Sequence, residues 1–159
     1  FRRLDRRLIV RGIGAPGETG RGAGLIIVGG DTSGSVFHDP KLPARFIGEI
    51  GGMVEDANPE EARVIWCDTE IKRVDICSDA ADVRRMLYDG IIGGGGTSFI
   101  PVFDYIAEHG LRPDVMIYLT DGYGEFPKHA PDYPVIWGDI SHGRAKYPFG
   151  TVVDIPTDD

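Results

Sequence analysis

The segment GLIIVGGDTSGS, residues 24–35, decides how the rest of the chain is read. Its first five residues are a continuous apolar run without alternation, the pattern of a strand buried on both faces of a sheet. Two glycines and a polar cluster follow at once, so the strand delivers Asp31, Thr32, Ser33 and Ser35 at its carboxyl end. From residue 42 the period changes: Leu42, Phe46, Ile50 and Met53 recur at helical spacing as one buried stripe. Gly48, Gly51 and Gly52 weaken such a helix by up to about 1 kcal/mol each relative to Ala, a loss that close packing against the sheet would offset.

Residues 62–67 (ARVIWC) and 71–77 (IKRVDIC) read as two strands around a turn at Asp68, Thr69 and Glu70. The second alternates, as an edge strand with one wet face does. Residues 80–88 form a short helix with Val83, Met86 and Leu87 inward. After the glycine run 93–96, Thr97 opens a helix carrying Phe99, Val102, Phe103 and Ile106, ended by Gly110 as a C-cap. Residues 114–119 (DVMIYL) are another buried strand, which presents Thr120, Asp121 and Gly122, and 134–137 and 151–155 are the last two strands. Strands and helices in this alternation predict an α/β protein with a mainly parallel sheet, whose ligands lie beyond the carboxyl ends of the strands. The polar groups at 31–35, 97 and 121 all fall at that edge.

At 159 residues the chain is one domain, residues 24–159, preceded by a basic, Gly-rich arm, residues 1–23. Arg2, Arg3, Arg6, Arg7 and Arg11 crowd that arm, while the whole chain carries a net charge of −8. The acidic balance excludes a general nucleic-acid binder, and the arm is expected to lie solvated against an acidic body. No stretch of the given sequence is apolar and long enough to cross a membrane or patterned as a signal peptide, so neither export nor a membrane is expected from it. Cys67 and Cys77 fall at opposite ends of the expected hairpin and cannot pair, which points to a reducing, cytoplasmic setting. The start at Phe1 leads to the expectation that a longer parent chain supplies an N-terminal remainder. The 23 Gly and 11 Pro make up about a fifth of the chain, against about an eighth in an average protein. The glycines beside residues 31–35, 97 and 121 are expected there because oxygen ligands must meet at that edge.

Residues 31–35, Thr97 and residues 120–122 together supply two carboxylates and several hydroxyls, a set of hard oxygen donors that suits Mg2+, with Mn2+ and Ca2+ as other acceptable ions. With only Asp31 and Asp121 ionised, the protein's charge just balances a divalent ion. The ion then retains affinity for another anion, such as a carboxylate on a partner protein.

The DTSGS, GGGGT and TDG segments resemble the metal-ion-dependent adhesion site of von Willebrand factor A (VWA) domains, over about residues 24–121. The resemblance implies a three-layer, Rossmann-like fold with Ser33, Ser35 and Thr97 as hydroxyl ligands and Asp31 and Asp121 as carboxylates acting directly or through water. More narrowly, FRRLDRRLIVRGIGAPG, GGGGTSF, PVIWG and YPFG are similar to bacterial VWA-like domains at the C-terminus of predicted metallopeptidase-type proteins. Such proteins work with MoxR-type AAA+ ATPases, so a partner of that kind is what the resemblance implies. The sequence departs from the family at residues 122–133 (GYGEFPKHAPDY), which carry no helical stripe, and at residues 138–147, too short for a helical crossover. A domain trimmed of helices in its C-terminal half is expected, with one sheet face partly uncovered for the parent protein or a partner.

Competing readings are weaker. The GxGxxG match at residues 12–17 opens no helix, and the run 93–97 lacks the lysine of a phosphate-binding loop. An aspartic peptidase reading of Asp31-Thr32-Ser33-Gly34 conflicts with the helices, and turn-capping without a metal remains open. A metal-dependent hydrolase would need a base, for which His38 is the nearest histidine in sequence, otherwise read as a surface residue or a neighbour of the ligands. Asp68, Asp75, Asp79, Asp82 and Asp89 are expected to be solvated, and Tyr123 and Phe126 to line the rim of the site.

Overall fold

The computed structural model describes residues 24–37, 41–86 and 94–156. The arm, the GxGxxG match, His38, Leu87, Asp89 and Gly93 therefore lie outside the described residues. Six strands, β1 (Leu25–Asp31), β2 (Glu61–Cys67), β3 (Ile71–Cys77), β4 (Val115–Thr120), β5 (Val135–Asp139) and β6 (Thr151–Asp154), form one sheet in the order β3-β2-β1-β4-β5-β6. All neighbours run parallel except β2 and β3, an antiparallel hairpin at one edge. The helices are α1 (Gly34–Phe37), α2 (Lys41–Ala57), α3 (Ala80–Arg85) and α4 (Ile100–Glu108). The fold is thus the expected mainly parallel α/β sheet. Among the described residues no helix is long and apolar enough to cross a membrane.

Successive strand residues point to opposite faces, and each face has its own core. Ile26, Val28, Val64, Trp66 and Ile117 meet the α2 stripe of Leu42, Phe46, Ile50 and Met53, with Val83 of α3 beside it. Ile27, Ile65, Met116, Tyr118 and Trp137 meet Val102, Phe103 and Ile106 of α4 on the other face. The expected packing of the α2 glycines against the sheet is not what occurs at Gly51. A Cβ there would meet Arg84 Cγ of α3 at 3.5 Å, so this glycine serves a helix–helix contact, while one at Gly48 would point into open space.

Two of the expected solvated carboxylates do structural work here. Asp79 caps α3, its side chain accepting the Asp82 N–H at 2.9 Å, a contact worth about 0.5–2 kcal/mol. Asp75 accepts the Trp66 indole N–H at 3.2 Å and pairs with Arg73 at 2.8 Å. The second long helix starts at Ile100 rather than Thr97, because residues 97–99 bond to the stretch after β4: Phe99 N–H reaches Glu125 O at 2.9 Å. It closes as expected, with Gly110 at φ +62 just past its C-cap. Cys67 and Cys77 are both free and buried at opposite ends of the hairpin, and burial pushes their thiols up to about 12 and about 11, so neither is nucleophilic.

Right-handed crossovers place α2 over one face on the way from β1 to β2, so the links β4–β5 and β5–β6, which run the opposite way across the sheet, belong on the α4 face. Among the described residues neither link contains a helix. The face is nevertheless not left open, contrary to expectation. Phe126, Tyr133, Tyr147 and Phe149 from those links pack onto it, with ring centroids of Phe126, Tyr147 and Phe149 at 5.3, 5.1 and 6.0 Å from fully buried Trp137. Such pairs each add about 0.5–1.5 kcal/mol beyond their buried area. The Trp137 N–H is satisfied by Phe149 O at 2.8 Å. At the lower end, between Ile106, Leu111, Tyr133 and Pro134, a groove of about 960 Å³ remains.

Gly29 and Gly30 of β1 lie opposite Tyr118 of β4 and Trp66 of β2. A Cβ on Gly29 would fall 2.7 Å from Tyr118 Cδ2 and one on Gly30 2.5 Å from Trp66 Cε3. These glycines admit aromatic rings on the two faces rather than ligand oxygens. Gly30→Ala should therefore lower stability by about 1–3 kcal/mol, whereas Gly48→Ala should raise it by up to about 1 kcal/mol. Urea unfolding checks both, and a Gly30→Ala midpoint equal to wild type contradicts the ring contact.

Candidate metal centre

Beyond β1 the chain turns toward β2, and beyond β4 toward β5, so the carboxyl ends of these two neighbours form the switch point of the sheet. Gly30 lies opposite Leu119, which brings Asp31 and Thr120 level. Asp31 is fully buried. Its Oδ1 accepts the Ser33 N–H at 2.8 Å and its Oδ2 accepts the Thr120 hydroxyl. Thr120 Oγ1 in turn accepts the Gly122 N–H at 3.0 Å, across a turn in which Gly122 has φ +82, a region where Gly is strongly favoured.

The remaining candidate ligands gather around this pair. Ser33 and Ser35 hydroxyls are hydrogen-bonded at 3.1 Å. The glycine loop is tied to the first loop from both strands of backbone: Gly34 N–H donates to Gly95 O at 3.1 Å and Gly94 N–H to Thr32 O at 2.9 Å. Thr97, at the end of that loop, is held from the Asp121 side. Glu125 N–H donates to Thr97 O at 3.3 Å, and a Cβ on Gly124 would lie 2.6 Å from Thr97 Cγ2. Asp121 is 9 % exposed and accepts the Tyr123 N–H at 3.2 Å. Asp31, Ser33, Ser35, Thr97 and Asp121 thus occupy three loops that bond to one another at one edge.

Electrostatics gives this edge its character. Burial raises the Asp31 carboxyl from 3.8 to about 6, against the hydrogen bonds from Ser33 and Thr120 that favour its ionised form, with the Asp121 charge adding to the rise. Among the described residues no Lys, Arg or His is ion-paired with Asp31 or Asp121. The Thr32 hydroxyl is also buried, with no hydrogen-bond partner among the described residues. Among the described residues there is no cluster of three His, Cys, Asp or Glu side chains, so a cation here must draw on hydroxyls as well as the two carboxylates. That donor set fits a hard divalent ion such as Mg2+.

The neighbourhood of the site differs in part from the sequence expectation. Asp68, expected in solvent, is 4 % exposed. It accepts the Thr69 and Glu70 N–H groups, lies 3.6 Å from Lys72 Nζ, and borders Gly95 of the glycine loop. Tyr123 does stand at the rim, 56 % exposed, but Phe126 turns inward onto Phe99 at 4.7 Å. Asp139 and Tyr147 received no role from the sequence, and Thr120, counted there only among the oxygen donors, hydrogen-bonds to Asp31. Asp139 ends β5 after an apolar run, as Asp31 ends β1, and that pattern could have found it. Nothing local marks Tyr147, whose hydroxyl donates to Asp139 Oδ1 at 2.7 Å.

A family model described as "VWA-like domain (DUF2201)" matches residues 26–156. No curated protein matches the chain.

The raised Asp31 carboxyl makes stability depend on pH in a definite direction. Its folded value lies above its unfolded one, so its contribution is fully present below about 3.8 and is lost as pH rises through about 6. Two units correspond to about 3 kcal/mol. In urea unfolding without divalent ions between about pH 4 and 7, wild type should lose about 2 kcal/mol more than Asp31→Asn, since part of the full effect lies below pH 4; parallel pH profiles would contradict the assignment.

Proposed function

The chain belongs to the VWA-like domain family, and from that membership we propose that its upper sheet edge is a metal-dependent protein-binding site. In this reading Asp31 and Asp121 supply charge and Ser33, Ser35 and Thr97 supply hydroxyl oxygens to Mg2+, with Mn2+ and Ca2+ able to compete. The observation that carries it is a buried Asp31 with no basic partner among the described residues, hydrogen-bonded to the Thr120 that precedes Asp121 and flanked by the paired Ser33 and Ser35 hydroxyls. Bound there, Mg2+ would supply a positive centre that two carboxylates just neutralise and a further anion can still approach. An acidic side chain of a partner protein has the charge and the hard oxygen for that role. Exposed Tyr123, beside Asp121, offers that partner an aromatic contact.

The resemblance to domains of metallopeptidase-type proteins supports a setting in a longer bacterial protein and an AAA+ ATPase of the MoxR type as partner. Two buried free thiols support a cytoplasmic location. Hydrolysis by this domain is the competing reading, and the described histidines do not favour it: His109 bonds to Tyr105 O at the end of α4, His129 borders the groove at the lower end of the sheet, and His142 bonds to Asp154, the last residue of β6. His38 lies outside the described residues.

Calorimetric titration of Mg2+ and Mn2+ should give binding heats with wild type and none with Asp31→Ala. Capture of the partner should require the metal, being lost with a chelator and with Asp31→Ala alike. Equal heats in both proteins would end the metal reading; capture indifferent to chelator and substitution would end the adhesion reading. Hydrolysis of a peptide or phosphoester by the purified domain, lost in Asp121→Ala, would favour an enzyme instead.

A further inference from the structure

Asp139 is a fully buried carboxylate at the end of β5, paired in register with Thr120 and outside the proposed ligand set. Four donors converge on it. Oδ1 takes the Ser141 N–H at 3.0 Å and the Tyr147 hydroxyl at 2.7 Å; Oδ2 takes the Ser141 hydroxyl at 2.9 Å and the Gly143 N–H at 3.1 Å. Three of these close the local turn 139–143. The fourth comes from Tyr147, which also lies against the ligand loop: a Cβ on Gly122 would lie 2.5 Å from the Tyr147 hydroxyl oxygen and 2.6 Å from Ala145 Cβ.

We propose that Asp139 and Tyr147 are positioning residues for the metal-ligand edge: the carboxylate anchors the phenol, and the phenol holds the Gly122 turn from which Thr120 and Asp121 are aimed. The chain of contacts is continuous. Tyr147 donates to Asp139 and packs on Gly122; Gly122 N–H donates to Thr120 Oγ1; the Thr120 hydroxyl donates to Asp31 Oδ2. Asp121 sits between Thr120 and Gly122, so both proposed carboxylate ligands depend on the same turn. A charge-assisted bond from phenol to carboxylate is stronger than one to a neutral acceptor. Asp139 and burial together keep the Tyr147 proton in place, far above the usual phenol range. The ring is further fixed by Trp137 at 5.1 Å and Phe126 at 5.8 Å. Removing the hydroxyl leaves that ring packing but frees the ring to shift from Gly122.

This proposal rests on the metal reading for its consequence, and the experiment separates the two. Mn2+ is titrated calorimetrically into wild type, Tyr147→Phe, Asp31→Asn and Tyr133→Phe, the last a matched hydroxyl loss in the same aromatic layer away from the edge. Amide hydrogen exchange at Gly122 is followed in all four without metal. Tyr147→Phe should weaken Mn2+ binding about tenfold or more, as loss of a group that orients a ligand does. It should also speed Gly122 exchange, while Tyr133→Phe changes neither. A Tyr147→Phe protein with wild-type affinity and wild-type exchange overturns the positioning role and leaves the metal reading intact. A uniform loss of thermal stability with unchanged affinity also overturns it, since a merely structural contact predicts that. If wild type binds no Mn2+, the metal reading fails, and Gly122 exchange alone then decides whether the pair holds the turn.

Discussion

A carboxylate held out of water, with no basic partner among the described residues, is the constraint on which the upper edge of this sheet depends. Desolvation works against the Asp31 charge, and what opposes it is local: a backbone N–H from Ser33 and the hydroxyl of Thr120. Neither donor would be in place without its own support. The Ser33 amide comes from a turn whose next residue, Gly34, bonds across to the glycine loop, and the Thr120 hydroxyl is oriented by the Gly122 N–H. The three loops are therefore interlocked by hydrogen bonds, from the first loop to the glycine loop, from Thr97 to Glu125 and from Thr120 to Asp31.

The absence of helices between β4, β5 and β6, among the described residues, is connected to that arrangement. Pro127, Pro131 and Pro134 punctuate the first link and prevent a helix, and the second spans only residues 140–150. Without helices, aromatic rings must cover the α4 face, and they gather on Trp137. The ring nearest the carboxyl edge, Tyr147, is also the one that reaches both Asp139 and Gly122. The same layer shields Tyr118, which lies opposite Gly29 just below Asp31.

Most of the strands and helices were legible because their signal is local. Buried strands carry unbroken apolar runs, α2 carries a single stripe, and Gly110 stops α4 at a position only a positive φ allows. The start of α4 was misplaced by three residues because residues 97–99 bond to Glu125, and no local pattern announces a partner that far along the chain. Asp68 was misplaced for a similar reason: a carboxylate in a polar turn is the same in sequence whether it meets water or folds back on backbone N–H groups. The candidate ligands were legible as a set because each follows an apolar strand or a glycine run, which marks the carboxyl edge of a parallel sheet. Asp139 carried the same mark.

The sequence by itself determined that Asp31, Ser33, Ser35, Thr97 and Asp121 lie at one edge, since strand direction and the order of elements leave no other place for them. Only the tertiary structure decided what surrounds them. Gly29 and Gly30, which sequence alone assigns to the assembly of oxygen ligands, instead admit the rings of Tyr118 and Trp66, whose closeness is a matter of strand register. The coupling of Asp139 to Asp31 through Tyr147, Gly122 and Thr120 likewise joins residues far apart in the chain. Such contacts arise from the packing of neighbouring strands and links, and local periodicity carries information about which face a residue takes but none about which distant side chain it will meet there.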